Sequence, residues 1–282
     1  MYYKSPFNYI GNKFRILAQI QKWFPKDIDT MVDLFCGGCD VIINTSARRK
    51  YANDINFFLI DILKGFQANG LDTVTYIDDA IAKWHLTKDD QEAYLAFRNH
   101  YNMDKKPLDL YVLLCYSFNY QFRFNSKHDY NNPFGRARSS FNDAVRANLL
   151  RMLPLVKDIV FSSTDFLDYD YSVLKEGDFL YADPPYLLTC GSYNDGKRGF
   201  RGWGEKDERA LYDILDGLSR RGVRFALSNV IEHKGNRNLI LAEWKRRNRY
   251  HMHHIKFNYD NCNYHAQNRD NKTDEILVTN YV

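Results

Sequence analysis

Short apolar segments alternate with amphipathic segments along most of the chain. Five apolar segments have the length of buried strands, and two more close the chain. These segments span residues 30–35, 50–53, 158–162, 179–182, 223–228, 250–257 and 275–281. Helical periodicity occupies residues 13–23, 41–47, 144–153 and 205–220. Strands that alternate with helices predict an α/β fold, in which helices cover both faces of a mostly parallel sheet.

One stretch of the chain departs from this alternation. Its pattern is helical from about residue 57 to residue 118, and it then becomes polar and rich in asparagine as far as Pro133. A polar run of this kind favours a hairpin or a loop. We therefore predict a helical lobe with a hairpin at residues 57–140, inserted into a core formed by residues 1–56 and 141–282.

The composition is typical of a folded soluble protein, with 45% apolar and 26% charged residues in a chain of 282. No run of about 18 uncharged apolar residues is present, so no membrane-spanning helix is expected. The N-terminal residues lack the apolar stretch of a secretion signal, and the five cysteines are odd in number and scattered. A disulfide framework is therefore disfavoured, and the sequence predicts a cytoplasmic protein.

Basic residues occur in local clusters, although the net charge is only +4. The clusters comprise Arg136 and Arg138; Lys197, Arg198 and Arg201; Arg220 and Arg221; and Lys245, Arg246, Arg247 and Arg249. Each cluster alone is typical of a solvated face. Several clusters interleaved with aromatic residues favour a polyanionic partner.

Polar residues and glycines follow the predicted strands, at the sheet edge where parallel sheets bind ligands. Gly37 and Gly38 form a turn after the first strand, where the backbone can approach a ligand closely. Asp54 follows the second strand and can accept the two ribose hydroxyls of a nucleoside. After the third strand, Asp165 can accept from an adenine amino group while Phe166 packs on the ring. A turn or a helix cap explains each feature singly, but together they favour a nucleoside-bearing cofactor.

The tetrapeptide Asp183-Pro184-Pro185-Tyr186 follows the fourth strand and is the strongest signal in the chain. Its two prolines fix the backbone and remove two N–H donors. The Asp183 carboxylate and the Pro184 carbonyl can then accept both protons of an exocyclic amine, on whose ring Tyr186 can stack. A carboxylate in this place can also offset positive charge that develops on the nitrogen.

These motifs resemble those of amino-methyltransferases that use S-adenosylmethionine. Their order resembles the DNA adenine methylase (Dam) family, the D12 or alpha class of N6-adenine-specific DNA methyltransferases. The segment Tyr9-Ile10-Gly11-Asn12-Lys13 is similar to the family's N-terminal cofactor motif, and residues 118–136 are similar to its recognition hairpin. The resemblance implies a Rossmann-like, mostly parallel seven-stranded sheet with an inserted DNA-recognition lobe.

The resemblance also implies roles for individual residues. S-adenosylmethionine would be bound by Tyr9, Lys13, Phe35, Gly37, Asp54, Asp165, Phe166 and Asp183. Catalysis on the target adenine would fall to Asp183, Pro184 and Tyr186. That adenine must be flipped out of the duplex to reach them. Double-stranded DNA would be contacted by Phe118, Asn119, Arg123, Asn125, Pro133 and Arg136.

Within the hairpin, Phe118 and Asn119 correspond to the family position that wedges into the base stack, and Arg123 can pair with a guanine edge. Most hairpin positions match the pattern that reads GATC, but Gln121 stands where Leu is usual and Ala137 where Tyr is usual. We therefore expect GATC or a close variant. A single flipped base requires only a monomer.

Two further motifs invite a metal or redox interpretation. Cys39 replaces the last glycine of the family's usual Phe-x-Gly-x-Gly turn, so that Cys36 and Cys39 lie in a C-G-G-C sequence. Their place in the cofactor turn disfavours a redox dithiol. The histidines at 251, 253 and 254 lie on a predicted strand whose side chains alternate between faces, which disfavours a shared ion. No metal is expected.

Three alternatives remain at this level. Another amine could be the acceptor, namely cytosine N4, an RNA adenine or a glutamine side chain, but these enzymes more often carry Ser or Asn where Asp183 stands. A non-catalytic DNA-binding module would not need an intact tetrapeptide. A nicotinamide-dependent dehydrogenase would need the G-x-G-x-x-G spacing, which the turn at Gly37 lacks.

The biological role is also open: a bacterial or phage enzyme of this kind protects DNA against a partner restriction endonuclease, marks strands for repair or serves a phage.

Overall fold

The computed structural model describes residues 2–9, 11–189, 202–256 and 273–282. Within these ranges, eight strands form one sheet. The strands are β1 (Thr30–Asp33), β2 (Arg49–Asn53), β3 (Ile159–Ser162), β4 (Phe179–Ala182), β5 (Arg224–His233), β6 (Asn236–Arg237), β7 (His251–Ile255) and β8 (Thr273–Thr279). Their order is β3-β2-β1-β4-β5-β8-β7, and β6 pairs with β5 outside this path.

The strands from β1 to β5 pair in parallel, and β8 lies antiparallel between β5 and β7. The predicted α/β fold with a mostly parallel sheet is thus confirmed. The predicted count of seven strands is too low, because β5 turns at Lys234 and Gly235 into the two-residue strand β6. Both turn residues have positive φ, 50° and 78°, as a tight hairpin requires. A strand this short carries no hydrophobic pattern from which it could be predicted.

Eight α-helices lie in the described part of the chain. They are α1 (Leu17–Gln21), α2 (Phe57–Asn69), α3 (Asp72–Lys83), α4 (Gln91–Asp104), α5 (Pro107–Tyr116), α6 (Asp143–Val156), α7 (Glu205–Arg220) and α8 (Leu239–Asn248). The helices α2, α4, α6 and α8 each begin after an Asn or Asp whose side chain accepts a backbone N–H of the first turn. None of the described helices is long and apolar enough to span a bilayer.

The helix predicted at residues 41–47 is wrong. Only a short 3-10 turn forms there, Ile42–Asn44, and Thr45 is already extended. The side chain of Asn44 donates to the Asp40 carbonyl, and the hydroxyl of Thr45 donates to the Val41 carbonyl. Such local side-chain bonds occupy the carbonyls that a longer helix would use. The strand predicted at 250–257 is observed as β7, and Phe257 lies outside the described residues.

Successive residues of the central strands face opposite sides of the sheet. On β1, Met31 packs into one core and Val32 into the other. The first core is shared with α2 to α6, and the second with α7 and α8. The inserted helices therefore cover one face of the sheet, and α5 is buried along its whole length.

The polar run after α5 forms a hairpin, as its composition predicted. Its two arms are joined by bridges from Ser117 to Phe134 and from Phe124 to Tyr130. At the start of the hairpin, Asn119 and Tyr120 both have positive φ, 52° and 55°. This backbone leaves the Phe118 side chain 46% exposed at the surface.

The fully buried carboxylate of Glu208, on α7, ties together three elements on the second face of the sheet. It accepts hydrogen bonds from Trp203 (2.8 Å), Tyr212 (2.6 Å), Asn229 (3.0 Å) and Asn238 (3.0 Å). A buried charge is tolerable only when donors satisfy it in this way. Glu208 thus fixes the start of α7 against β5 and α8.

We predict that Glu208→Ala lowers the free energy of unfolding by about 3 kcal/mol, because four buried donors lose their charged acceptor. Urea denaturation followed by circular dichroism measures this change. The matched control is Arg209→Ala, an exposed position on the same helix, which should stay within about 0.5 kcal/mol of the parent. Equal effects of the two substitutions would contradict the role of Glu208.

Candidate active site and cofactor pocket

The sheet order brings three predicted site segments together. Strand β1 lies between β2 and β4, and all three run in parallel, so their carboxyl ends meet at one edge. Asp33 ends β1, Asp54 follows β2 and Asp183 follows β4. Burial and the charges of Asp183 and Asp54 raise the pKa of Asp33 well above its ordinary value.

The glycine turn after β1 is held by Asp54. The Gly37 N–H donates to one carboxylate oxygen of Asp54 and the Asn56 N–H to the other, each at 2.9 Å. Burial raises the pKa of Asp54, and these two donors oppose the rise. Gly37 has a φ of +46°, and a Cβ there would lie 3.1 Å from the Tyr9 ring. The structure therefore brings Tyr9, Gly37 and Asp54 into one pocket.

Cys39 keeps the turn although it is not a glycine. Its φ is +69°, in the region that favours glycine, and its N–H donates to the Cys36 carbonyl at 2.8 Å. Both cysteines are buried and free. Burial raises the pKa of the Cys36 thiol well above its ordinary value, so this sulfur is a neutral, unreactive thiol.

Three aromatic rings form a wall beside this turn. Phe35 and Phe166 were predicted for the pocket, and their ring centroids lie 5.8 Å apart. Trp203 completes the wall, at 5.8 Å from Phe35 and 5.3 Å from Phe166. The sequence around Trp203 indicates only a turn between two glycines, so its place in the pocket was missed. Asp165, next to Phe166, accepts from the Leu167 N–H and so shapes this turn.

The catalytic tetrapeptide is joined to the N-terminal motif by a buried ion pair. Lys13 Nζ lies 2.7 Å from Asp183 Oδ2 and donates to the Gly11 carbonyl at 2.9 Å. The Tyr186 hydroxyl donates to Asp183 Oδ1 at 2.8 Å, and Pro184 is buried beside them. The structure therefore brings together Lys13, Asp183, Pro184 and Tyr186, although they lie up to 173 residues apart in sequence, from 13 to 186.

Two more acids in this site escaped sequence reasoning. Glu275, on β8, accepts from the Tyr186 hydroxyl at 3.1 Å and lies 3.8 Å from Lys13 Nζ. Asp33 is buried, and neither of its oxygens meets a donor in hydrogen-bonding geometry among the described residues, although the Ile42 N–H points towards it. An acid at the end of the first buried strand was a usable signal for Asp33. Nothing local marks Glu275, because its place depends on the antiparallel pairing of β8.

The protonation of the site follows from burial and from Lys13, the cation that contacts Asp183 and Glu275 among the described residues. Burial alone would lower the pKa of Lys13, but the carboxylates of Asp183 and Glu275 outweigh it and raise that pKa. Burial raises the pKa of Asp183, while Lys13 and the Tyr186 hydroxyl oppose the rise. Burial and the two carboxylates raise the pKa of Tyr186 well above its ordinary value, so its hydroxyl remains a donor.

Five of the six residues predicted to contact DNA are exposed on the hairpin or just after it: Phe118, Asn119, Arg123, Pro133 and Arg136. The side chain of Asn125 is used within the hairpin. Its oxygen accepts from the N–H groups of Lys127 and Asp129, and its amide donates to the Asp129 carboxylate. Asn125 therefore shapes the tip of the hairpin, and a contact with DNA would have to break these bonds.

The hairpin also contacts the cofactor pocket. Phe122, which precedes Arg123, packs at 5.9 Å from the Tyr9 ring and 6.5 Å from the Phe7 ring. Tyr9 in turn packs on Gly37. The predicted base-reading residues are therefore one side chain away from the cofactor turn.

The remaining predicted features lie away from this pocket. Among the described basic clusters, Arg136 and Arg138 are exposed beside the hairpin, whereas Lys197, Arg198 and Arg201 lie outside the described residues. His253 stacks on Trp23 with centroids 3.6 Å apart, and His254 pairs with Asp274. In the described ranges, no group of three or more His, Cys, Asp or Glu residues is placed to hold a metal ion.

A glycine turn, a buried acid and a proline corner at neighbouring strand ends of a mostly parallel sheet are typical of a Rossmann-like methyltransferase. Residues 9–261 match the family model described as D12 class N6 adenine-specific DNA methyltransferase. The chain belongs to this family.

The chain is also similar to curated methyltransferases. It is 46% identical to the type II methyltransferase M.FokI of Planomicrobium okeanokoites and 44% identical to modification methylase StsI of Streptococcus sanguinis, in each case over 99% of this chain and 43% of the relative. It is 24% identical to the DNA adenine methylase of Escherichia coli K12, over 86% of this chain and 84% of that protein. The chain thus spans less than half the length of M.FokI and StsI.

We predict that Lys13→Met destabilises the protein in a pH-dependent manner. Without its cation, the buried Asp183 carboxylate should cost about 3 kcal/mol at pH 8. Without Lys13, the pKa of Asp183 in the folded state lies further above its value in the unfolded chain. The loss of unfolding free energy should therefore shrink as the pH falls towards 5 and the Asp183 carboxyl takes up a proton. Thermal melts at both pH values measure this. The control is the double variant Lys13→Met with Asp183→Asn, whose loss should not depend on pH in this way; the same pH dependence in both variants would mean that Lys13 does not hold this charge.

Proposed function

We propose that this chain transfers a methyl group from S-adenosylmethionine to N6 of an adenine flipped out of double-stranded DNA. The observation that carries the proposal is the arrangement at the proline corner. The Asp183 carboxylate, held by Lys13, follows β4, and the glycine turn held by Asp54 follows the neighbouring strand β1. Membership of an N6-adenine-specific family supports the same acceptor.

The residues of the pocket fit S-adenosylmethionine. The ribose hydroxyls would be accepted by Asp54, and the adenine ring of the cofactor would pack within the wall of Phe35, Phe166 and Trp203. The buried Asp33 carboxyl, which has no partner donor among the described residues, suits an ammonium group. When bound, the cofactor supplies a methyl group on a positively charged sulfur. The chemistry requires no metal ion.

The target adenine would enter between the proline corner and the cofactor. Asp183 and the Pro184 carbonyl accept the two N6 protons and so direct the nitrogen lone pair at the methyl carbon. The Tyr186 ring stacks on the base, and the Asp183 carboxylate offsets the charge that develops on N6. In a buried site this electrostatic contribution is large, because little water screens it.

The hairpin would open the duplex and read its sequence. Phe118 is exposed at the start of the hairpin and can fill the gap that the flipped base leaves, which offsets part of an unstacking cost of a few kcal/mol. Arg123 would read a guanine edge, and Asn119, Asn125, Pro133 and Arg136 would complete the contacts. The exposed basic clusters would hold phosphates.

We further propose GATC or a close variant as the recognition site. The hairpin pattern at Asn119, Arg123 and Arg136 supports this site, and the presence of Gln121 and Ala137 supports a variant. The relatives at 44–46% identity are named M.FokI and StsI, not DNA adenine methylase, which also favours a site other than GATC. Those names support a role in restriction–modification with a cognate nuclease as partner. We propose a monomer that acts in the cytoplasm.

Mapping N6-methyladenine across the DNA of an expressing host tests the function and the site together. We expect one short motif to become methylated at adenine in cells that express the parent protein. Asp183→Ala should reduce methylation at least about 1,000-fold, because it removes both the amine acceptor and the compensating charge. Thermal melts and a DNA-binding assay show whether the variant is folded and still binds. Undiminished methylation by Asp183→Ala, or none by the parent, would refute the proposal.

We predict that Arg123→Ala relaxes the choice of base at one position of the site. The loss of a bidentate guanine contact should reduce discrimination by about 1–3 kcal/mol, or roughly 5-fold to 150-fold. Competition binding with a panel of single-base variants of the mapped site measures this. Lys245→Ala, a basic residue on α8, serves as the control and should weaken binding equally for all sequences. Identical profiles for the two variants would contradict the assignment of the hairpin.

A further inference from the structure

Two buried carboxylates share one hydroxyl at the proline corner. The Tyr186 hydroxyl lies 2.8 Å from Asp183 Oδ1 and 3.1 Å from Glu275 Oε1. Lys13 Nζ lies 2.7 Å from Asp183 Oδ2 and 3.8 Å from Glu275 Oε1. Only 5% of Glu275 is exposed, so its charge depends on these neighbours. The methyl-transfer chemistry proposed above gives Glu275 no part.

The hydroxyl of a tyrosine carries a single proton. It can therefore donate fully to one acceptor at a time, and here the two distances make Asp183 the main acceptor with Glu275 close behind. Asp183 consequently has a donor on each oxygen, Lys13 on Oδ2 and Tyr186 on Oδ1. Each donor draws charge from the carboxylate and occupies space that an incoming amine needs. A carboxylate has about four lone-pair sites, so Asp183 can still accept from an amine, and it accepts most strongly after one donor has moved away.

Glu275 is placed to receive that donor. A small rotation of the Tyr186 hydroxyl lengthens its bond to Asp183 and shortens its bond to Glu275, while the ring stays in place. Lys13 is not equally free to move, because it also donates to the Gly11 carbonyl and lies closer to Asp183.

We propose that Glu275 is a positioning residue that takes over the Tyr186 hydroxyl when an amine approaches Asp183. The transfer leaves Asp183 Oδ1 free to accept an N6 proton and restores charge to the carboxylate. Tyr186 then keeps its ring against the base while its hydroxyl is held by Glu275. This proposal rests on the proposed methylation of adenine. It differs from a structural role, in which Glu275 only balances the charge of Lys13.

A double-mutant cycle between Glu275 and Tyr186 separates these roles. Glu275→Met removes the alternative acceptor, and single-turnover methylation of duplex DNA should slow by about 10-fold to 100-fold. The KM for S-adenosylmethionine should change little, because Glu275 acts through Tyr186 on the amine. Glu275→Gln retains an oxygen acceptor and should recover much of the rate. In a Tyr186→Phe background, which has no hydroxyl to relocate, Glu275→Met should change the rate less than about 2-fold.

The outcomes are distinguishable. Equal effects of Glu275→Met in both backgrounds would mean that Glu275 acts through Lys13 or through packing, and the proposal would be overturned while the methyltransferase function stood. Absence of methylation by the parent protein would overturn the function itself. If thermal melts show that Glu275→Met does not fold, the same cycle is run with Glu275→Gln. Its effect on the methylation rate should be smaller, and it must still disappear in the Tyr186→Phe background. Asp274→Asn is the matched control, because Asp274 is a half-buried neighbour on β8 that pairs with His254, and it should leave the rate unchanged.

Discussion

The buried ion pair between Lys13 and Asp183 is the constraint on which the site depends. The parallel order of β2, β1 and β4 brings Asp54, Asp33 and Asp183 to one edge of the sheet, and the antiparallel β8 adds Glu275. Like charges this close and this buried would repel one another. Backbone N–H groups satisfy Asp54, and within the described ranges Lys13 is a cation that contacts both Asp183 and Glu275. The N-terminal segment must therefore fold across the strand ends for the site to exist.

That segment also joins the proposed active site to the hairpin that we propose contacts DNA. Tyr9 lies four residues before Lys13 and packs between the Gly37 turn and Phe122 of the hairpin. A ring at this point cannot move without disturbing both of its neighbours, because close-packed interiors transmit small displacements. Arg123 follows Phe122 directly, so the residue proposed to read a base is anchored on the pocket proposed to hold the cofactor. The residues proposed for recognition and for catalysis thus belong to one packed unit.

The sequence predicted those parts of the fold that depend on local patterns. Buried parallel strands are continuous apolar runs, which is why β1 to β5 were predicted, and the apolar segments that close the chain predicted the antiparallel β7 and β8. Helix α7 was predicted to the residue. The failures arose where tertiary contacts decide. Asn44 and Thr45 end a turn that periodicity had extended into a helix. Trp203 lies at the site because α7 packs on the sheet, and Glu275 because β8 pairs with β5. No short sequence motif predicts either contact.

The boundary of the inserted lobe shows the same limit in energetic terms. A change of pattern at residue 57 marks where the helices begin, but α2 packs on the sheet as well as on α5. Leu59 and Phe66 of α2 therefore share one core with Met31 of β1 and Tyr111 of α5. A shared core makes the stability of the lobe depend on the sheet. If the two separated, the apolar surface that each buries against the other would be exposed to water. The hairpin that follows α5 is consequently anchored, through this core, on the sheet that carries Asp183.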